Sequence, residues 1–147
     1  MTEDQPVSKV LVLDDSRVHA DALKRFCDAH NLVGLTVRRS RLLKVLRSNI
    51  DLGAILLAED YGGSPAESAI IATQIDALRP ELPIILRRES LASRDGLPDA
   101  LARVACAAYV ADDMTPLARA IDEYLFGRDY PNALVRGISE ITEARLD

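Results

Sequence analysis

The sequence is poor in cysteine and in long apolar runs, and each shortage excludes a class of protein. Its two cysteines, Cys27 and Cys106, belong to no CxxC motif and to no Cys/His cluster. This excludes a disulfide scaffold and a cysteine-based zinc site. No run approaches the roughly 20 apolar residues of a membrane span, and residues 1–8 are too polar for a signal peptide. We therefore expect a cytoplasmic protein that does not enter the membrane.

The sequence also has fewer basic than acidic residues. The 147 residues include 23 acidic and 18 basic side chains, for a formal net charge of -5. Nucleic-acid binding needs a basic face that neutralises phosphates, so we expect protein partners and no nucleic acid through this chain. With 48% hydrophobic residues, a chain of this length is typical of one domain with a proper core.

Short apolar runs alternate with helical patterns along the chain. Five runs have strand length: residues 9–15, 32–37, 54–58, 82–86 and 107–111. This alternation predicts an α/β fold, a (βα)5 doubly wound parallel five-stranded sheet of the flavodoxin type. An extra helix is predicted at the C-terminal end.

The helices are predicted from spacing and capping signals. Ser64, Pro65 and Glu67 form a capping box with proline at the first helical position, and a last helix is predicted from Thr115 to Gly127. A short helix is expected around residues 97–105. In the first predicted helix, one apolar face is formed by Val18, Ala22, Phe26 and Ala29.

Charged residues follow the predicted strands, at the sheet edge where doubly wound proteins bind ligands. The pairs are Asp14 and Asp15, Glu59 and Asp60, Arg87 and Arg88, and Asp112 and Asp113. The two histidines, His19 and His30, have no nucleophile patterned beside them, so we expect both at the surface and no enzyme activity.

Three of these segments resemble the response-regulator receiver (CheY-like) family of bacterial two-component signalling. In VLVLDDS, Asp14 and Asp15 match the family's metal-binding acidic pair. In AILLAEDYGG, residues 61–63 match the turn that follows the phosphoacceptor aspartate by three residues, and this places Ala58 at the acceptor position. In AAYVADD, Tyr109 matches the family's aromatic switch position.

The remaining signature positions depart from the family. Arg88 stands where the resemblance implies a threonine or serine, and Asp112 stands where it implies a lysine. Phosphoryl transfer needs a nucleophilic oxygen and donors for the transferred oxygens, and Ala58 supplies no nucleophile. The resemblance therefore predicts a degenerate pseudo-receiver, a phosphorylation-independent protein-interaction or regulatory module.

The acidic pocket formed by Asp14, Asp15, Glu59 and Asp60 needs a compensating cation. Mg²⁺ could bind through Asp14, Asp15 and Asp60, as in true receivers. We favour the alternative, in which the Arg88 guanidinium turns inward over Asp14 and Asp15 and no cofactor is needed.

The predicted domains are a receiver-like domain at residues 1–126 and a C-terminal helical extension at residues 127–147. Leu134, Val135, Ile138 and Ile141 form an apolar stripe in the extension, which is expected to pack on its own domain or to lead to an output domain absent from this chain. A homodimer is expected through this helix or through the face of the fourth helix, fifth strand and fifth helix, with Tyr109 near its centre.

Two other functions fit the sequence less well. One is a flavodoxin-like domain that senses a small ligand or nucleotide with the acidic pocket. The other is a true phosphoacceptor that uses Asp60, which requires the register to slide by two residues and still lacks the lysine.

Overall fold

A computed structural model of the protein describes residues 8–48, 50–91 and 96–126. The strands are β1 (Ser8–Leu13), β2 (Leu32–Thr36), β3 (Ala54–Ala58), β4 (Ile84–Arg88) and β5 (Ala105–Val110). The α-helices are α1 (Arg17–Ala29), α2 (Leu42–Arg47), α3 (Pro65–Leu78), α4 (Asp99–Val104) and α5 (Thr115–Ile121). A 3₁₀ turn at Arg39–Arg41 precedes α2, and a π-helical turn at Asp122–Phe126 follows α5.

The five strands form one parallel sheet in the order β2-β1-β3-β4-β5. This is the strand order of flavodoxin-like doubly wound sheets, whose topological switch point lies between β1 and β3. The predicted fold class is confirmed.

The fourth strand ends later than its apolar run predicts. The run stops at Leu86, whereas β4 continues through Arg87 and Arg88, which pair in register with Tyr109 and Val110 of β5. Because consecutive side chains of a strand point to opposite faces, the two arginines lie on opposite faces of the sheet.

The main core lies between the sheet and helices α2, α3 and α4. It is built from leucines and isoleucines that alternate along the strands and from the inner faces of these helices. Its members include Leu11, Leu13, Ile55, Leu57, Ile84, Leu86, Leu42, Leu46, Ile71, Ile75 and Leu101.

Helix α1 buries a different face from the one predicted. Its buried residues are His19, Leu23, Phe26 and Cys27, whereas Val18 is 82% exposed. The buried face is rotated about the helix axis by about one residue from the predicted one. The prediction was wrong because a hydrophobic pattern does not count a buried histidine among the core positions. Helix α3 starts as predicted, since the Ser64 hydroxyl accepts a hydrogen bond from the Glu67 N–H at 3.2 Å.

The chain divides into two compact units, one ending at Leu117 and the other beginning at Ala118. In the second unit the structure describes the end of α5 and the π-helical turn. The predicted C-terminal extension, residues 127–147, lies outside the described residues. No helix within the described ranges is long and apolar enough to span a membrane.

Candidate functional site

The C-terminal edge of the sheet brings together most of the residues singled out from the sequence. Asp14 follows β1 directly, Ala58 ends β3, and Arg87 lies beside Ala58 in the register of β4. Ala58 has no exposed surface. The residue that the resemblance places at the acceptor position is therefore a buried apolar side chain.

Arg87 occupies the centre of this edge. Its Nε donates to Asp14 Oδ2 at 2.7 Å and its Nη2 donates to Asp14 Oδ1 at 2.9 Å. The Asp14 side chain is only 2% exposed and that of Arg87 10%. The hydrogen bonds with Asp14 raise the pKa of Arg87, so its charge is held in place. A bidentate, nearly buried ion pair thus takes both oxygens of Asp14.

The expectation that Arg88 covers Asp14 and Asp15 is wrong. Arg88 points to the other face of the sheet, where its Nε donates to Glu59 Oε1 at 2.8 Å. Asp14 is instead paired with Arg87, the neighbouring residue of β4. Sequence alignment alone favours Arg88 because it replaces a signature residue, whereas the pleat of β4 decides which arginine reaches Asp14.

The acidic residues at this edge have separate surroundings. Asp15 Oδ2 accepts a hydrogen bond from the Gly62 N–H at 3.0 Å, and the side chain of Asp60 is 59% exposed. The Asp60 Oδ1 lies 3.8 Å from Arg87 Nη2. Within the described residues, no group of three or more acidic, histidine or cysteine side chains could hold a metal ion. In this arrangement both oxygens of Asp14 are paired with Arg87, and the Mg²⁺ site at Asp14, Asp15 and Asp60 stays a prediction.

Beside Arg87 lies a buried hydrogen bond that the sequence does not predict. His19 Nε2 and the Tyr109 hydroxyl are 2.7 Å apart, and the two residues are 4% and 1% exposed. Burial lowers the pKa of His19 and raises that of Tyr109. The expected surface position of His19 is wrong, and Tyr109 is not available as a surface anchor.

The loop after β3 is fixed from several sides. Gly62 has a φ of +87°, and a Cβ there would lie 2.9 Å from the Arg39 guanidinium. Arg39 in turn pairs with Glu67 at 2.6 Å. The buried Ser68 hydroxyl donates to the Ala58 carbonyl at 2.8 Å. These contacts hold the loop in one conformation around the acceptor position.

Two further predicted residues lie in the turns that follow β5 and β3. Asp112 is exposed in the turn after β5 and takes part in none of the ion pairs found among the described residues. Asp60 lies in the turn after β3, where the Tyr61 N–H donates to the Ala58 carbonyl at 3.1 Å. β3 ends at Ala58, two residues before Asp60.

Several solved structures that resemble this chain are response regulators or their receiver domains. The N-terminal signal receiver domain of a two-component response regulator from Bacteroides fragilis has a TM-score of 0.67 at 18% identity, covering 82% of this chain and 98% of that one. A response regulator from Thermotoga maritima has a TM-score of 0.66 at 14% identity, with the same two coverages.

A second Thermotoga maritima response regulator, solved in complex with Mg²⁺ and BeF, has a TM-score of 0.64 at 20% identity and covers 80% of this chain and 99% of that one. No protein-family model and no curated protein sequence matches the chain. The chain thus has the CheY-like receiver fold, as its motifs predict.

Proposed function

We propose that this chain is a pseudo-receiver, a non-enzymatic cytoplasmic module of bacterial signal transduction that works without phosphorylation. The proposal rests on one observation. At the position where a receiver accepts phosphate, the chain has the buried Ala58, and the adjacent acidic residue Asp14 is already neutralised by Arg87.

Both changes oppose the reaction. Phosphoryl transfer to a receiver needs a carboxylate nucleophile and a divalent cation that neutralises the developing charge. Ala58 removes the nucleophile. The guanidinium of Arg87 takes the Asp14 oxygens that would otherwise reach the cation, so metal loading would first have to break a bidentate pair.

The same arrangement supports a single conformational state. The pair between Arg87 and Asp14 and the hydrogen bond between His19 and Tyr109 join β1, β4, β5 and α1 on one face of the sheet. Fully partnered polar groups of this kind specify one packing. Signals would then pass through binding of a protein partner, with no change of charge at the site.

Of the surface predicted from the fourth helix, fifth strand and fifth helix, we retain α4 and β5 as the partner surface, with a homodimer among the assemblies; the predicted C-terminal helix lies outside the described residues. Tyr109 does not serve as its anchor, because it is buried. The exposed positions on this edge of the sheet include Cys106 and Arg103.

The test is incubation with acetyl phosphate and Mg²⁺ followed by intact-mass measurement, with an ordinary receiver domain in parallel to verify the reagent. We expect no mass gain for this chain. A stoichiometric gain of one phosphoryl group that is lost in the Asp60→Asn variant would show that Asp60 is a working acceptor and would overturn the proposal.

The small-ligand alternative has one observation in its favour. A cavity of about 250 Å³ lies at the ends of β1 and β2 and is lined by Asp14, Asp15, Thr36, Arg38, Arg39 and Tyr61, among others. Such crevices beside a switch point are common ligand sites. Thermal unfolding with a panel of nucleotides would test this alternative, since a ligand that binds the folded state raises the midpoint temperature of unfolding.

A further inference from the structure

Positive charge is concentrated in one short segment of this acidic protein. Residues 38–47 hold five of the 18 basic residues, and no acidic residue occurs between Val37 and Ile50. The chain as a whole carries -5 and this segment +5, so the remainder carries -10. The overall charge therefore conceals a surface of opposite sign.

The structure places all five basic side chains at the surface. Arg38 precedes the 3₁₀ turn, Arg39 and Arg41 lie in it, and Lys44 and Arg47 continue along α2. Helix α2 holds its position through Leu42 and Leu46, which are buried in the main core. The helix thus presents a fixed basic stripe, with Arg41, Lys44 and Arg47 spaced three residues apart.

One of the five basic residues already binds a carboxylate. Arg39 pairs with Glu67 of α3 at 2.6 Å. Among the described residues, the other four form no ion pair. We call these four, Arg38, Arg41, Lys44 and Arg47, the α2 basic surface.

We propose that the α2 basic surface docks an acidic segment of a partner protein, with carboxylates spaced to meet its arginines and lysine. The pair between Arg39 and Glu67 shows that this segment accepts a carboxylate presented from a neighbouring helix. Charge complementarity of this kind steers association and sets the register of the complex.

The size of the surface favours an acidic peptide over nucleic acid. Helix α2 has six residues and is about 9 Å long, which matches two turns or fewer of a partner helix. A nucleic-acid duplex extends well beyond this length. Its further phosphates would meet a chain whose other residues sum to a charge of -10, which disfavours a second polyanion.

This surface is separate from the one retained above for partner binding. Helix α2 connects β2 to β3, and β2 forms the opposite edge of the sheet from β5. The inference about α2 therefore does not depend on whether the chain accepts phosphate.

The experiment measures fluorescence anisotropy of a short labelled helical peptide with glutamates on one face, with the glutamine version as blank. We compare the parent with the double variant Lys44→Glu, Arg47→Glu. The matched control is Lys24→Glu, Arg25→Glu, which makes the same charge change at exposed positions of α1. Circular dichroism verifies folding, and Arg38→Gln with Arg41→Gln gives a milder second variant.

We expect the peptide to bind the parent, to release with rising salt, and to bind the α2 double variant at least about tenfold more weakly, a difference of about 1.4 kcal/mol. The α1 control should stay within about threefold of the parent, because its charges lie away from the surface. No binding of the glutamate peptide, or equal loss in both variants, would overturn the proposal. Tighter binding of a short DNA duplex than of the peptide would overturn it in favour of nucleic acid.

Discussion

Replacing Arg87 by methionine should destabilise the protein severely. Methionine retains an apolar stem of similar length but removes the guanidinium, so Asp14 would be left as a buried charge without a cation. Breaking a buried ion pair from one side costs about 3–5 kcal/mol. Asp14 Oδ1 keeps the hydrogen bond from the Ser16 N–H at 3.0 Å, which places the expected loss near the lower end.

The assay is urea unfolding at neutral pH, followed by circular dichroism. A loss of about 3 kcal/mol is a large part of the 5–15 kcal/mol typical of a folded domain. It corresponds to a fall in melting temperature of about 6–12 °C for a chain of this size. Arg39→Met is the matched control, because it removes the same group from an exposed pair and should cost less than about 1 kcal/mol.

A double-mutant cycle shows whether the pair itself is responsible. Adding Asp14→Asn to Arg87→Met removes the buried charge, so the double variant should be more stable than Arg87→Met alone by about 1–3 kcal/mol. The pair does not stabilise the site if Arg87→Met lowers the free energy of unfolding no more than Arg39→Met does. The same conclusion follows if adding Asp14→Asn restores no stability.

Three further predictions concern the surroundings of the pair. Because burial lowers the pKa of His19, the unfolded chain takes up a proton at higher pH than the folded one; stability should be complete above pH 6.5 and fall as the pH drops below it. Urea midpoints across this range should show that slope, and His19→Asn should flatten it. Ser68→Ala, which removes a donor to a buried carbonyl, should cost about 0.5–1.5 kcal/mol in the same assay. Gly62→Ala should cost about 1–3 kcal/mol, since it strains a positive φ and displaces Arg39; an unchanged midpoint would mean that the loop relaxes freely.

The fold was accessible from the sequence because its signals are redundant. Each strand appears as an apolar run, and the start of α3 carries the capping residue Ser64. Where such signals were weak, the observed ends of strands and helices differ from the predicted ones. The run of β4 ended at Leu86 in the hydrophobic pattern because arginine is counted as polar, although both arginines lie in the strand and are 8% exposed.

The site was accessible only in part. The acceptor position at Ala58 follows from the turn that succeeds it, but the identity of the inward arginine depends on strand pleat, which alignment does not resolve. The partnership of His19 with Tyr109 joins residues 90 positions apart. No local pattern encodes it, and a histidine on a helix resembles a surface residue until the opposing hydroxyl is known.

In the proposed pseudo-receiver, Ala58 and the pair between Arg87 and Asp14 both oppose phosphoryl transfer. A cation at a concentration equal to its dissociation constant stabilises the state that binds it by only about 0.4 kcal/mol. Opening the pair between Arg87 and Asp14 would cost several times that amount. Even if a carboxylate were restored at position 58, the cation needed for phosphoryl transfer would face this closed pair first. Restoring an acceptor should therefore not suffice to restore the activity, and we expect control of this domain to act through surfaces away from the edge, such as the α2 basic surface.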